Sequence, residues 1–270
     1  MISVLQLGTI DYATGLRLQQ RLVKLRKEDR IGDVLLLLEH TPVITLGRNA
    51  NAANIIASPE RLAERGVEVS ECDRGGDVTF HGPGQLVGYP IFNLREMLAE
   101  DGRQKTLGAV AYVRKLEEVL IRTCTDFGIP TKRLQGLTGV WTDSETGPDL
   151  VEAGEPKREA KIAALGVHIS RAITSHGFAL NVNVDLDYFD LIIPCGITSK
   201  PVTSMAKERG KQFPTPEVAH SISRNFGVVF QSQMLWLENL DLLLKSPVGV
   251  PMQVPQELRR LHKEEESSWA

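Results

Sequence analysis

Cys195 stands in the stretch Ile193-Pro194-Cys195-Gly196-Ile197. Free cysteines are commonly buried and inert. A sulfur between a proline and a glycine is a poor packing choice, because Pro194 fixes the backbone before it and Gly196 leaves room after it. An ordinary thiol is only a few per cent thiolate at neutral pH. A nearby ammonium or a general base would raise that fraction. Lys161, which opens Lys161-Ile162-Ala163-Ala164-Leu165-Gly166, is the internal candidate. On spacing alone its ammonium is expected in solvent. A cysteine and lysine acting together suit acyl transfer between thioesters and amines. The thiolate takes the acyl group, and the lysine accepts and returns the protons.

A second segment, Arg74-Gly75-Gly76-Asp77-Val78-Thr79-Phe80-His81-Gly82-Pro83-Gly84, holds four glycines and a proline. Gly75-Gly76 lets backbone approach a ligand or take positive φ. Neither the P-loop ending nor the dinucleotide glycine spacing is there, so the glycines alone specify little. Arg74 adds a cation with bidentate reach, and His81 a polar ring that, taken singly, reads as structural. His176, in what reads as a small-residue turn Ser175-His176-Gly177, is a candidate acid or base that nothing local promotes above His81. His168 is expected to alternate outward.

Ordinary elements must position these groups. A helix is expected over 11–26, with a loose apolar face of Leu16, Leu22, Val23 and Leu25. Buried strands are expected at 34–38 and 43–46 across a tight turn. Ser58-Pro59 caps a short helix that Gly66 ends. Strands follow at 67–70 and 86–91. The clearest helix covers 106–127, with Leu107, Val110, Val113, Leu116, Leu120, Cys124 and Phe127 at three- and four-residue steps; Cys124 is therefore core. Further strands are expected at 138–142, 161–165 and 178–182, and a helix from Thr215-Pro216 to about 225. The polar stretch 143–159 reads as an exposed hairpin loop or lid. Strands and helices mix without a βαβ repeat, so the fold class is α+β, a mixed sheet with flanking helices. One catalytic domain is expected over 1–230, with a C-terminal extension over 231–270 whose last residues are disordered.

The 270 residues are 42% hydrophobic, enough for a sizeable core. A net charge of -3 and a pI near 6.1 argue against a nucleic-acid partner. Three cysteines without metal-site spacing, Cys72, Cys124 and Cys195, point to a reducing compartment. No leader or membrane span is visible, so a cytoplasmic location is expected.

Taken in order, Arg74 to Gln85, Lys161 to Gly166, and His176-Gly177-Phe178-Ala179-Leu180-Asn181-Val182 leading to Pro194-Cys195-Gly196 resemble the lipoyl(octanoyl) transferases. Leu46-Gly47-Arg48 also fits. The likeness covers about residues 1–230. It implies a catalytic domain like that of the biotin/lipoate protein ligases. It implies an acyl thioester on Cys195, with Lys161 lowering the thiol pKa and activating the amine. Substrate binding is implied at Arg74, Gly75, Gly76, Asp77, Val78, Thr79, Phe80 and His81, at Ala164, Leu165 and Gly166, and at Gly177, Phe178 and Ala179. The implied donor is octanoyl-acyl carrier protein, whose acyl chain hangs from phosphopantetheine. The implied acceptors are lipoyl domains of 2-oxoacid dehydrogenase E2 subunits and the glycine cleavage H protein. No ATP, metal or other cofactor, no membrane and a monomer are expected, and the reaction would be the first committed step of endogenous lipoate synthesis. The stretch 143–159 and the tail depart from the family pattern.

An acyl slot is implied as well. Burying the octanoyl hydrocarbon would contribute on the order of 5 kcal/mol. One methylene would discriminate by only about 1 kcal/mol, so the closed end of the slot must set chain length, and the sequence does not show which residue closes it. Three rivals remain. An ATP-dependent lipoate or biotin ligase would need no cysteine nucleophile. A non-catalytic carrier-binding protein would leave Cys195 unreactive. An amidotransferase relaying octanoyl between lipoyl domains would use the same cysteine and lysine.

Overall fold

The structure of the chain is a computed structural model that describes residues 1–97, 106–143, 159–194 and 200–244. The chain opens with β1 (Ile2–Ile10), α1 (Tyr12–Lys27), β2 (Asp33–His40) and β3 (Val43–Leu46). A short 3-10 turn (Ala52–Asn54) precedes α2 (Pro59–Glu64), β4 (Glu68–Glu71), β5 (Val78–His81) and β6 (Gln85–Ile91). Next come α3 (Ala109–Asp126), β7 (Thr131–Leu134), β8 (Leu137–Thr142), β9 (Lys161–Ser170) and β10 (Ile173–Asn181). A second 3-10 turn (Leu186–Leu191), α4 (Met205–Arg209), α5 (Thr215–Phe230), β11 (Met234–Trp236) and α6 (Leu240–Leu244) complete the described elements.

The strands form an eight-stranded sheet, β11-β1-β2-β6-β10-β9-β8-β7, and a three-stranded one, β4-β3-β5. In the large sheet β1 runs parallel to both β2 and β11, and every other neighbouring pair is antiparallel. The fold is the α+β mixed sheet with flanking helices expected from the sequence.

Local signals explain where the helices start. Asp11 caps α1 by accepting the Thr14 amide at 2.8 Å, and Ser58 caps α2 ahead of Pro59. α3 buries Tyr112, Leu116, Val119, Leu120 and Cys124; of the expected apolar face, Leu116, Leu120 and Cys124 are buried, whereas Val110 is exposed and Val113 half-buried. Burial pushes the Cys124 thiol up to about 12, so it remains a core group. Pro216, Val218, Ile222 and Phe226 belong to α5, which packs with α3 on one face of the large sheet. α1 covers the other face, where Leu18, Leu22 and Leu25 meet Leu36, Leu38 and Ile91. Gly15 lets α1 come close: a Cβ there would sit 2.8 Å from the His40 ring.

Two expectations need correction. The strand beginning at Lys161 runs on to Ser170, and Ser175-His176-Gly177 lies inside β10 rather than in a turn. Beyond residue 230 the expected C-terminal extension begins packed against the large sheet. Met234 to Trp236 pairs with Ile2 to Val4, and Leu240 is buried against α1's side of the core. The expected disordered end and most of the 143–159 loop lie outside the described residues. No helix among the described residues is long and apolar enough to cross a membrane.

Candidate active site

The face of the large sheet under α1 also carries the small sheet and the glycine-rich segment. Between them lies a narrow slot. It is lined from below by Val87 and Tyr89 of β6, Ala164 to Gly166 of β9 and Gly177 to Ala179 of β10. Arg74, Gly76, Thr79 and His81 line it from above, with Tyr12 and His176 also on its wall. Glycines let the main chains close tightly around it. A Cβ at Gly166 would fall 2.7 Å from the Gly75 carbonyl oxygen, and one at Gly177 would strike the Gly88 carbonyl. Gly76 has a φ of 96°, as the reading of Gly75-Gly76 anticipated.

Four of the implied binding residues do not line the slot. Val78 and Phe80 point into the small-sheet core with Ile44, Leu62 and Phe189. Gly75 donates its amide to the Val167 carbonyl at 3.0 Å and so ties the segment to β9. Asp77 accepts the Asn51 amide at 2.9 Å and the Asn54 side-chain amide. It thereby holds the 3-10 turn 52–54, whose Asn54 carbonyl accepts Ile193 N at 2.7 Å. Asp77 thus fixes the chain just before Pro194.

Arg74 is buried, and its guanidinium is turned inward rather than reaching out. It donates to Thr45 O at 2.7 Å, to Thr45 Oγ1, to Asp77 O at 2.7 Å and to Gly75 O at 3.1 Å. Among the described residues no carboxylate pairs with it. A desolvated cation therefore sits beside the slot, held by neutral oxygens.

A buried polar network underlies the slot. His81 Nδ1 meets Gln85 Oε1 at 2.7 Å. Gln85 Nε2 donates to Phe80 O and to Asn181 Oδ1, and Asn181 Nδ2 donates to Thr203 O at 2.9 Å. The carbonyl-type partner assigns the His81 proton to Nδ1. His40 Nδ1 likewise faces the Ile10 carbonyl at 3.0 Å, so His40 Nε2 accepts from the Tyr89 hydroxyl at 2.6 Å. Burial above all, with His40 and Arg74 nearby, pushes the His81 pKa down to about 3. Burial likewise takes His40 to about 4. Both rings are neutral at physiological pH. Burial raises the phenols of Tyr12 and Tyr89 far above their ordinary values. Sequence reasoning missed Tyr12, His40, Tyr89 and the bridging role of Asn181, because no local pattern links them.

Lys161 is buried, against the expectation of a solvated ammonium. The reason is a one-residue bulge. Val140 pairs with Ala163 while Trp141 pairs with Lys161, so Ile162 is the extra residue on β9. Ile162 and Ala163 both enter the α3/α5 core, which returns Lys161 to the face of Ala164 and Gly166. Its stem passes over Gly139, and Nζ lies 4.8 Å from the centroid of the Trp141 ring. Lys161 does not line the slot itself but stands three residues along the same strand. Its main chain bonds both sides of a turn: Lys161 N donates to Pro201 O at 2.8 Å and Thr203 N to Lys161 O at 3.0 Å. Cys195 and Gly196 lie outside the described residues. The described chain on either side is tied to Asn54, which Asp77 holds, and to Lys161.

The sequence profile of the lipoyl protein ligase A/B catalytic domain family matches residues 11–227. The chain belongs to that family. It is 59% identical to an octanoyltransferase of Koribacter versatilis over 98% of both chains. It is 56% identical to one of Acidobacterium capsulatum, over 90% of this chain and 96% of the relative. At that identity over nearly full length, the chain is an acyltransferase. Solved structures carry the same fold. A bipartite lipoate protein ligase from Thermoplasma acidophilum superposes with a TM-score of 0.65 at 14% identity, covering 97% of this chain and 90% of that one. A lipoate-protein ligase A bound with ATP gives 0.63 at 13%, covering 97% and 92%.

Proposed function

We propose that this chain transfers an octanoyl group from octanoyl-acyl carrier protein to a lysine of a lipoyl domain, through an acyl thioester on Cys195. The observation that carries the proposal is the bulge at Ile162. It turns Lys161 onto the slot face, while the same residue's main chain holds residues 201–203, just beyond the Cys195 segment. The octanoyltransferase names of the relatives supply the acyl group. The sequence setting of Cys195 supplies the nucleophile.

In the first half-reaction Lys161 takes the Cys195 proton. The thiolate attacks the donor thioester carbonyl. The donor's C–S bond breaks, and its thiol leaves with the proton from Lys161. In the second, the acceptor lysine amine attacks the Cys195 thioester. Lys161 takes the amine proton and returns it to the departing Cys195 sulfur, leaving an amide. Val87 and Ala179, with the main chain of 164–166 and 177–178, would hold the hydrocarbon, and the buried Arg74 cation and neutral His81 would border it. No ATP or metal enters these steps. Lipoyl domains of 2-oxoacid dehydrogenases and the glycine cleavage H protein, met in the cytoplasm by a monomeric enzyme, would be the acceptors, at the first committed step of lipoate synthesis.

The deciding assay mixes the chain with octanoyl-acyl carrier protein and a lipoyl domain, with and without ATP. Acylation of the domain without ATP is the expected result. Acylation only with ATP and free octanoate would establish a ligase instead.

A further inference from the structure

We infer that His176 is the stopper of the acyl slot and sets the length of chain the enzyme accepts, an inference that rests on the transferase reading above.

Two cavities meet at this residue. The slot has a cavity volume of about 50 Å³. Beyond it, between α1 and the β9–β10 hairpin, lies an open groove of about 580 Å³ by the same measure, lined by Gln20, Lys24, Lys27, Ser170 and Arg171 among others. Among the described residues His176 is the one that lines both.

Its position along the sheet is the far one. β10 pairs antiparallel with β9, with Leu180 opposite Ala163 and His176 opposite Val167. Lys161 and Val167 are six residues apart on one strand, roughly 20 Å by strand rise. The Lys161 side chain, the thioester and the acyl chain must fit in series along that span. A chain that starts at the Lys161 end therefore runs toward His176.

The ring is also held in a conformation it would not choose. In β10, Ile173 and Ala179 face α1 while Phe178 and Leu180 face α3 and α5. By alternation His176 would point with Phe178 and Leu180. Instead its φ is 54°, rare for a side chain with a Cβ, and its ring lies on the α1 side. There His176 N donates to Gln19 Oε1 at 2.7 Å, and Nε2 bonds Asp73 Oδ1 at 2.7 Å. Tyr89 meets the ring edge to face at 6.3 Å. Strain of this kind persists only where the surroundings over-determine it. Here they set a planar wall across the end of the slot, braced from the groove side by Asp73.

The test compares kcat/KM for octanoyl, decanoyl, dodecanoyl and tetradecanoyl carrier protein in the wild type, His176→Gly and Asp73→Ala. Glycine takes positive φ without strain, so the strand keeps its path while the ring is removed and the slot opens into the groove. Each further methylene that becomes buried favours a longer donor by about fourfold. The dodecanoyl-to-octanoyl ratio should therefore rise at least tenfold in His176→Gly and less, in the same direction, in Asp73→Ala, whose exposed side chain makes loss of folding no concern. An unchanged ratio in the folded variants overturns the inference, and so does a wild type that already prefers dodecanoyl. Complete absence of transfer from carrier protein by the wild type would sink the transferase reading instead. The same series, read then as calorimetric binding of free fatty acids, still decides the stopper: an unchanged length optimum in His176→Gly overturns it.

Discussion

The two faces of the large sheet draw on the same strands and do different work. Toward α3 and α5, strands β6, β9 and β10 present Leu86, Phe178, Leu180 and Ala163, which meet Phe92, Phe226, Phe230 and Tyr112. The rings there pack edge to face and stacked, at 5.4 to 6.2 Å. Toward α1 and the small sheet, the alternate residues of the same strands are Gln85, Tyr89, Ala164, Gly166 and Asn181, small or polar and joined by hydrogen bonds. One face stores stability and the other keeps space and polarity. The alternation fails at two points, the bulge at Ile162 and the left-handed backbone at His176. Each failure moves a chemically capable side chain, Lys161 or His176, onto the α1 face.

If the two faces divide the work in this way, mutations should separate activity from stability. Lys161→Ala should lower transfer by about 10²- to 10⁴-fold and shift the pH profile of Cys195 alkylation upward. Steady-state kinetics and an alkylation series measure both, and an unaltered profile would break the pairing. Phe226→Ala on the opposite face should destabilise by about 3 to 5 kcal/mol in urea unfolding, while the folded fraction keeps its kcat. Loss of kcat in the folded protein would blur the division.

Asp77→Ala should release the turn that meets Ile193. The expected result is roughly a tenfold loss of kcat, with stability reduced by only about 1 to 3 kcal/mol. A further effect concerns pH. His40 and His81 are held near 4 and 3 when folded, below the ordinary imidazole value of 6.5. The unfolded chain therefore binds more protons between those values and 6.5. Stability should fall as pH drops from 6.5 toward 4, by about 1.4 kcal/mol per pH unit for each ring. Replacing either ring with glutamine should flatten the slope of unfolding free energy against pH by that share.

Much of this arrangement is legible in the sequence, because it is written in local patterns. α1, α3 and α5 announce themselves by apolar spacing, and α2 by Ser58-Pro59. The residues brought together in the slot come mostly from the three blocks that carry the family resemblance. What escapes is whatever depends on contacts between distant segments. Tyr12 opens a helix and His40 ends a strand, and only the closure of α1 over Gly15 makes them neighbours. The bulge at Ile162 leaves no trace in an apolar run, so Lys161 reads as solvated. Glycine and histidine at Ser175-His176-Gly177 suggest a turn, whereas pairing with β9 keeps the segment within the strand. β11 has three residues, too few for a period to show.

The most direct test is the intact mass of the pure chain after mixing with octanoyl-acyl carrier protein in the absence of ATP. A gain of one octanoyl group, released by hydroxylamine and absent in Cys195→Ala, is the predicted result and establishes the thioester. An unmodified chain that nonetheless octanoylates a lipoyl domain, or a stable adduct that persists in Cys195→Ala, would contradict the account.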